Sequence, residues 1–241
     1  MWEPDRGPNT YYAWADPTIV LDDLVERQKQ GANRSNSPFY EFPKARIGKK
    51  EMLPCQLPRI ALRDITRATD TRTMRCALVP AKVVLTNKAP YFLFPRGDST
   101  DVAYLLGVLS SLPLDWYARR FVEISMNFYV FNPFPVPRPA REHPLRRRVV
   151  ALAGRLAAVD DRYAEWAGQV GVACGPLDAA VKADHVRERD AVVAHLYGLS
   201  APQLTHVFET FHEGWAYQDQ LAETLAWYAT WAATLARGGS C

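Results

Sequence analysis

The chain has 241 residues, enough to bury a substantial core in one or two domains, and a net charge of only +3. No apolar run approaches the ~18 residues of a bilayer span, and the opening MWEPDRG lacks the basic and apolar parts of a secretion signal. Cys55, Cys76, Cys174 and Cys241 lie too far apart for zinc-type pairs or a disulfide framework, which predicts a reducing, cytoplasmic setting.

Residues 1–38 are polar and broken by Pro, Gly, Asn and Ser, so they read as an arm with at most one short helix over 19–28. Between residues 39 and 94, short apolar runs (RIALRDI, CALVP, KVVLTN, YFLF) alternate with Pro, Thr and Asp, a strand-and-turn texture. Residues 101–123 are helical in pattern, with Pro113 ending one helix and opening the next because it has no amide hydrogen. NFYVFNPFPVPRP then reads as a returning strand with a proline-rich exit, and helix follows from residue 141 onward. The expected fold is therefore α+β: a polar arm (1–38), a β-rich mixed domain (39–139), and a helical spacer and tail (140–241).

In the last third, Leu152, Leu156, Val159, Tyr163, Trp166 and Val170 carry the seam spacing of a two-helix coil, as do Leu221, Leu225, Tyr228, Ala232 and Leu235. The two seams either zip antiparallel as an intramolecular spacer or each pack on the core. Between them a helix is expected to end at Gly198, and Ser200 with Gln203 has the spacing of a capping box.

Catalytic signatures are missing. There is no Gly-x-Gly turn for a nucleotide or for S-adenosylmethionine, no Gly-x-Ser-x-Gly elbow, and no metal spacing among His143, His185, His195, His206 and His212. The pairs Asp22-Asp23 and Asp160-Asp161 read as solvated, and Pro4-Asp5 is followed by no Glu-x-Lys of a nuclease. Asn132-Pro133-Phe134-Pro135 is similar to the Asn/Asp-Pro-Pro-aromatic loop with which adenine methyltransferases hold an extruded base. Here Phe134 stands where the second proline belongs and no Gly-rich cofactor segment precedes it, so a strand exit stiffened by Pro133, Pro135, Pro137 and Pro139 is the plainer account.

The wider segment, however, points back at methyltransferases from another direction. PRIALRDITRATDTRTMRCALVPAKVVLTNKAPYFLFP, AYLLGVLSSLPLDWYARRFVE and NFYVFNPFPVPRP, in that order, resemble the C-terminal target-recognition region of Eco57I-like or TaqI-like restriction-modification methylases and of large phage-defence adenine methylases. The resemblance covers residues 39–139, with LYGLS similar to the family's tail. It implies a specificity module that reads double-stranded DNA, while a partner methyltransferase subunit or domain supplies catalysis and holds S-adenosylmethionine. No cofactor is expected on this chain.

Residue chemistry suits that role. Arginine matches guanine bidentately, asparagine matches adenine, and lysine and threonine suit phosphates. The expected DNA contacts are Arg59, Arg63, Arg67, Thr69, Thr71 and Arg72 in the first basic stretch and Asn87, Lys88 and Tyr91 in the next turn. Arg119 and Arg120 can reach phosphate or snorkel at the surface, and Asn127, at the head of the returning strand, can cap or contact DNA. In an alternating strand Arg59 and Arg63 share a face, and Asp64 faces inward to orient an arginine or a turn amide. The competing account is that these charges only solvate a sheet edge. Trp116, Tyr117 and Phe121 read as core, and the basic stretch 138–148 (Arg138, Arg141, Arg146, Arg147, Arg148) as a second positive segment. Two other functional classes remain: a fragment of a site-specific adenine methyltransferase or restriction enzyme, and a protein-interaction module docking through its C-terminal helices.

Overall fold

The structure is a computed structural model that describes residues 15–238. Residues 1–14 of the expected arm, with Pro4-Asp5, and Cys241 lie outside the described residues. The β-rich expectation is corrected: 53% of the described residues are helical and 5% are in strands or bridges.

The arm's helix is longer than 19–28. Helix α1 (Pro17–Ala32) starts where Asp16 accepts from the Thr18 amide (2.8 Å) and Pro17 supplies a preset first turn. Its buried Gln28 accepts from the Gly48 amide (2.9 Å), while Val25 packs with Leu53 and Cys55. That fixes the following single-turn helices against it.

The strand-like runs yield one antiparallel pair, β1 (Arg59–Leu62) and β2 (Cys76–Val79), with Arg59 opposite Val79 and Leu62 opposite Cys76. KVVLTN and YFLF do not extend it. Lys82 takes a positive φ of 62° and Pro80 and Pro90 offer no amide hydrogen, so the chain turns away and returns only as an isolated bridge between Ala61 and Tyr91. NFYVF is not a strand either. Asn127 accepts from the Val130 amide (3.1 Å) and thereby opens a helical turn, α4 (Phe128–Phe131).

Helix α2 (Ser99–Leu109) begins at a full capping box made by Asp98 and Asp101 and stops before α3 (Leu112–Ala118), where Pro113 sits in the first turn. It is the hub of the main core. Ala103, Val108 and Leu109 are fully buried, and Gly107 lets α2 approach α5 (Pro144–Ala157) so closely that a Cβ there would lie 2.4 Å from Val149 Cγ1. That core also takes in Ile60 and Leu62 of β1, Leu78 of β2 and Trp166 of α6 (Ala164–Val170), so residues on both sides of position 139 share it.

The spacer expectation is corrected too. The first seam is interrupted because α5 ends at Ala157, and Val159 and Tyr163 fall in the turn before α6. Helix α7 (Ala179–Leu196) packs against both α5 and α9 (Gln218–Gly238), so the helices that carry the start of the first seam and the whole of the second dock on α7 instead of zipping with each other. Trp227 Nε1 donates to Asp184 (2.8 Å), Trp231 Nε1 donates to Glu188 (3.0 Å), and Tyr228 stacks on His195 at 3.8 Å between ring centres. Between α7 and α9, Gly198 has a left-handed φ of 67°, and α8 (Ala201–Glu209) opens at the expected Ser200–Gln203 capping box. Among the described residues no helix is long and apolar enough to cross a membrane.

Candidate nucleic-acid interface

The loop between β1 and β2, residues 63–75, is held by α3. Asp115, fully buried on that helix, accepts through Oδ1 from the amides of Thr73 (3.0 Å) and Met74 (2.7 Å), and its Oδ2 lies 2.8 Å from Arg72 Nε. Burial pushes the Asp115 carboxyl up from its ordinary value, against the opposing pull of Arg72, the Met74 amide, Arg119 and the Thr73 amide. Arg119 grips the other side of the loop by donating to the carbonyls of Ala68 and Asp70, and its guanidinium lies 3.9 Å over the Phe211 ring. Within the loop, buried Thr66 donates to the Thr73 carbonyl (2.9 Å) and Thr73 to the Arg67 carbonyl (3.1 Å).

Two further segments border it. The Asp64 amide bonds the Lys88 carbonyl (3.2 Å), bringing the 87–88 turn alongside. The Thr66 amide donates to the Ile124 carbonyl (3.1 Å) and the Met126 amide to the Asp64 carbonyl (2.8 Å), bringing residues 124–126 to the loop's other edge. The Asp64 carboxylate pairs with Lys88 Nζ (3.3 Å) and not with the arginine or turn amide expected of it.

The expected DNA contacts separate into two groups. Arg63, Arg67, Thr69, Thr71, Asn87, Lys88, Arg120 and Asn127 are exposed. Arg63 and Arg67 have no ion-pair partner among the described residues, and Arg120 stacks on Trp116 at 4.6 Å. Arg59, Arg72, Arg119 and Tyr91 are instead engaged internally. Arg59 is buried, donates to the carbonyls of Val83 (2.7 Å) and Pro54 (3.3 Å), and lies over Tyr91 at 4.6 Å. Desolvation lowers the Arg59 pKa and raises that of the Tyr91 phenol. β1 therefore does not present Arg59 and Arg63 on one solvent face, because all four of its residues are buried. Asn127 is the cap of α4.

The second basic stretch is largely neutralised. Arg141 pairs with Asp98 and Asp101, Arg146 with Asp101, and Arg148 with buried Glu188. In Asn132-Pro133-Phe134-Pro135, Phe134 is buried against Tyr117, Phe121 and Phe131, so its ring is committed to the core and not to a base. Among the described residues no group of three His, Cys, Asp or Glu could hold a metal.

Sequence reading missed two features. Asp115, in the first turn of α3 after the Ser111 cap, carries no local sequence pattern that sets it apart, and its role depends on the distant loop packed on it. Phe121 was read as core and is half exposed, in company with Ile124 and Tyr129. Compared with known proteins, no family model matches the chain, and neither a curated protein nor a solved structure does.

Proposed function

We propose that the chain is a DNA-recognition module that binds duplex DNA through the 63–72 loop and the 87–88 turn, beside an adenine methyltransferase that holds S-adenosylmethionine and performs the chemistry. The observation that carries this reading is the placing of Arg63 and Arg67. Both guanidinium groups stand exposed without an ion-pair partner among the described residues, on a loop that Asp115 and Arg119 fix from below. Arginine held in a fixed geometry by its backbone is what bidentate reading of guanine requires, since little conformational freedom is then lost on binding. Lys88, Thr69 and Thr71 on the same rim supply contacts of the phosphate type.

Under this reading Arg59, Arg72 and Arg119 are positioning residues. They support the surface and do not touch DNA. The sequence resemblance to methylase target-recognition regions supplies the partner, and the α7–α9 layer offers it a second face.

The test is a binding selection from a random-sequence duplex pool, made with the chain and its methyltransferase. Arg63→Ala or Arg67→Ala should cost about 1–3 kcal/mol and relax preference at one base position, whereas Lys88→Ala should weaken all sequences alike. If sequence preference and affinity both survive with Arg63, Arg67 and Arg72 all replaced by Ala, the reading fails.

A further inference from the structure

We infer that residues 121–129 form an apolar wedge that inserts between base steps of the bound duplex. This rests on the DNA-binding reading above and deepens it. Phe121 is 52% exposed, Ile124 66% and Tyr129 90%, and Ile65, opposite Ser125 in an isolated bridge, is 51% exposed. So much large apolar surface, supplied by one nine-residue stretch and its bridge partner, is unusual for a surface with no partner.

The stretch is not loosely placed. Its backbone is tied to the 63–75 loop by the Thr66–Ile124 and Met126–Asp64 hydrogen bonds, and buried Met126 anchors its middle. Phe128 sets its edge against Phe92 at 5.8 Å between ring centres, and the Asn127 cap fixes the turn that carries Tyr129. The apolar tips therefore face solvent from a rigid base, as a wedge requires.

Charge selects the occupant. The cations beside the ridge are Arg63, Arg67 and Arg120, and its carboxylates are Glu123 and Asp64, of which Asp64 is already paired with Lys88. An apolar ridge with cationic flanks complements stacked bases between two rows of phosphates. Wedge residues of this kind unstack a step and kink the duplex, a cost that the added contacts offset. The ring of Tyr129 can stack on a base of any identity, so the wedge contributes affinity and bending without adding sequence preference of its own.

The test uses the full chain and a duplex selected from a random pool, with 2-aminopurine placed in turn at each step. Binding by the native chain should raise 2-aminopurine fluorescence severalfold at one step and shorten the end-to-end distance measured by energy transfer. The double variant Ile124→Ala, Tyr129→Ala should lose both signals and weaken affinity by about tenfold, with the salt dependence of binding retained. Circular dichroism and thermal unfolding check that this variant folds; Tyr129→Ala alone, at a site almost wholly in solvent, keeps the test decisive if it does not. Salt-dependent binding by the native chain with no fluorescence response at any step would overturn the wedge and leave the DNA reading standing. No binding to any duplex would overturn both. Loss of association with the methyltransferase in the variant, with the fluorescence response intact, would make the ridge a protein-docking face and overturn the wedge.

Discussion

Arginines that look equivalent in the sequence divide by what lies within reach of their guanidinium groups. Arg72 and Arg119 find carbonyls and the Asp115 carboxylate, whereas Arg63 and Arg67 find solvent. Asp115 decides this division, because its two oxygens hold both Arg72 and the Thr73 and Met74 amides. Asp115→Ala would leave those buried amides and a partly buried guanidinium unpaired, so a loss of roughly 2–4 kcal/mol is expected. Urea unfolding measures it, and faster proteolysis within residues 63–75 should accompany it. A second expectation concerns Asp98. Although partial burial works against it, hydrogen bonds from Arg141, Thr100 and the Asp101 amide hold its carboxyl well below the usual carboxylate range. A depressed folded-state pKa means that its contribution is complete above the ordinary value and is lost as pH falls through the folded one. Asp98→Asn should therefore flatten the decline in stability below about pH 4, as acid unfolding of the two proteins would show.

At the scale of elements, signals that act over a few residues were legible and those that depend on distant partners were not. Pro113 does divide two helices, Gly198 does take the left-handed conformation, and Ser200 with Gln203 does cap α8. Strand content was misread, because KVVLTN and YFLF have strand composition but meet Pro80, Pro90 and Lys82 where a ladder would need amides and negative φ. NFYVF was misread for a different reason: Asn127 caps it, and a single cap converts a β-rich composition into a helical turn. The seam spacing found where apolar helices lie but not their bounds or faces, since Val159 and Tyr163 fall between α5 and α6 and Ala232 is exposed, and α7 packs against both α5 and α9. Of the candidate site, the exposed arginines and the Asn87–Lys88 turn could be named from composition, but their grouping by Asp115 and the exposure of Ile124 and Tyr129 depend on packing. Two expectations belong here. Gly107→Ala should cost about 1–3 kcal/mol, since the new methyl meets Val149 in the α2–α5 contact, and thermal unfolding would register it. Leu225→Asp, placing a charge in the cluster of Leu204 and Phe208, should destabilise by a few kcal/mol, and unchanged unfolding would mean that α9 does not dock there.

For the whole molecule, net charge is a poor guide to partners, because particular carboxylates are spent against particular arginines. In the stretch 138–148, Arg141, Arg146 and Arg148 are paired with Asp98, Asp101 and Glu188 while Arg138 and Arg147 stay exposed; on the 63–72 loop Arg63 and Arg67 are exposed and have no ion pair among the described residues. Met74 of the loop, Met126 of the ridge segment and Leu114 of the helix beneath belong to one core that runs from β1 to α7. Salt dependence of duplex binding is the most direct measure of the central claim, since each cation that neutralises a phosphate adds about one to the slope of log affinity against log salt. Replacing Arg63, Arg67 and Lys88 together by Ala should reduce that slope by about 3, while Arg34→Ala, on the exposed turn after α1, should leave it unchanged. An unchanged slope in the triple variant would contradict the assignment of this face to DNA.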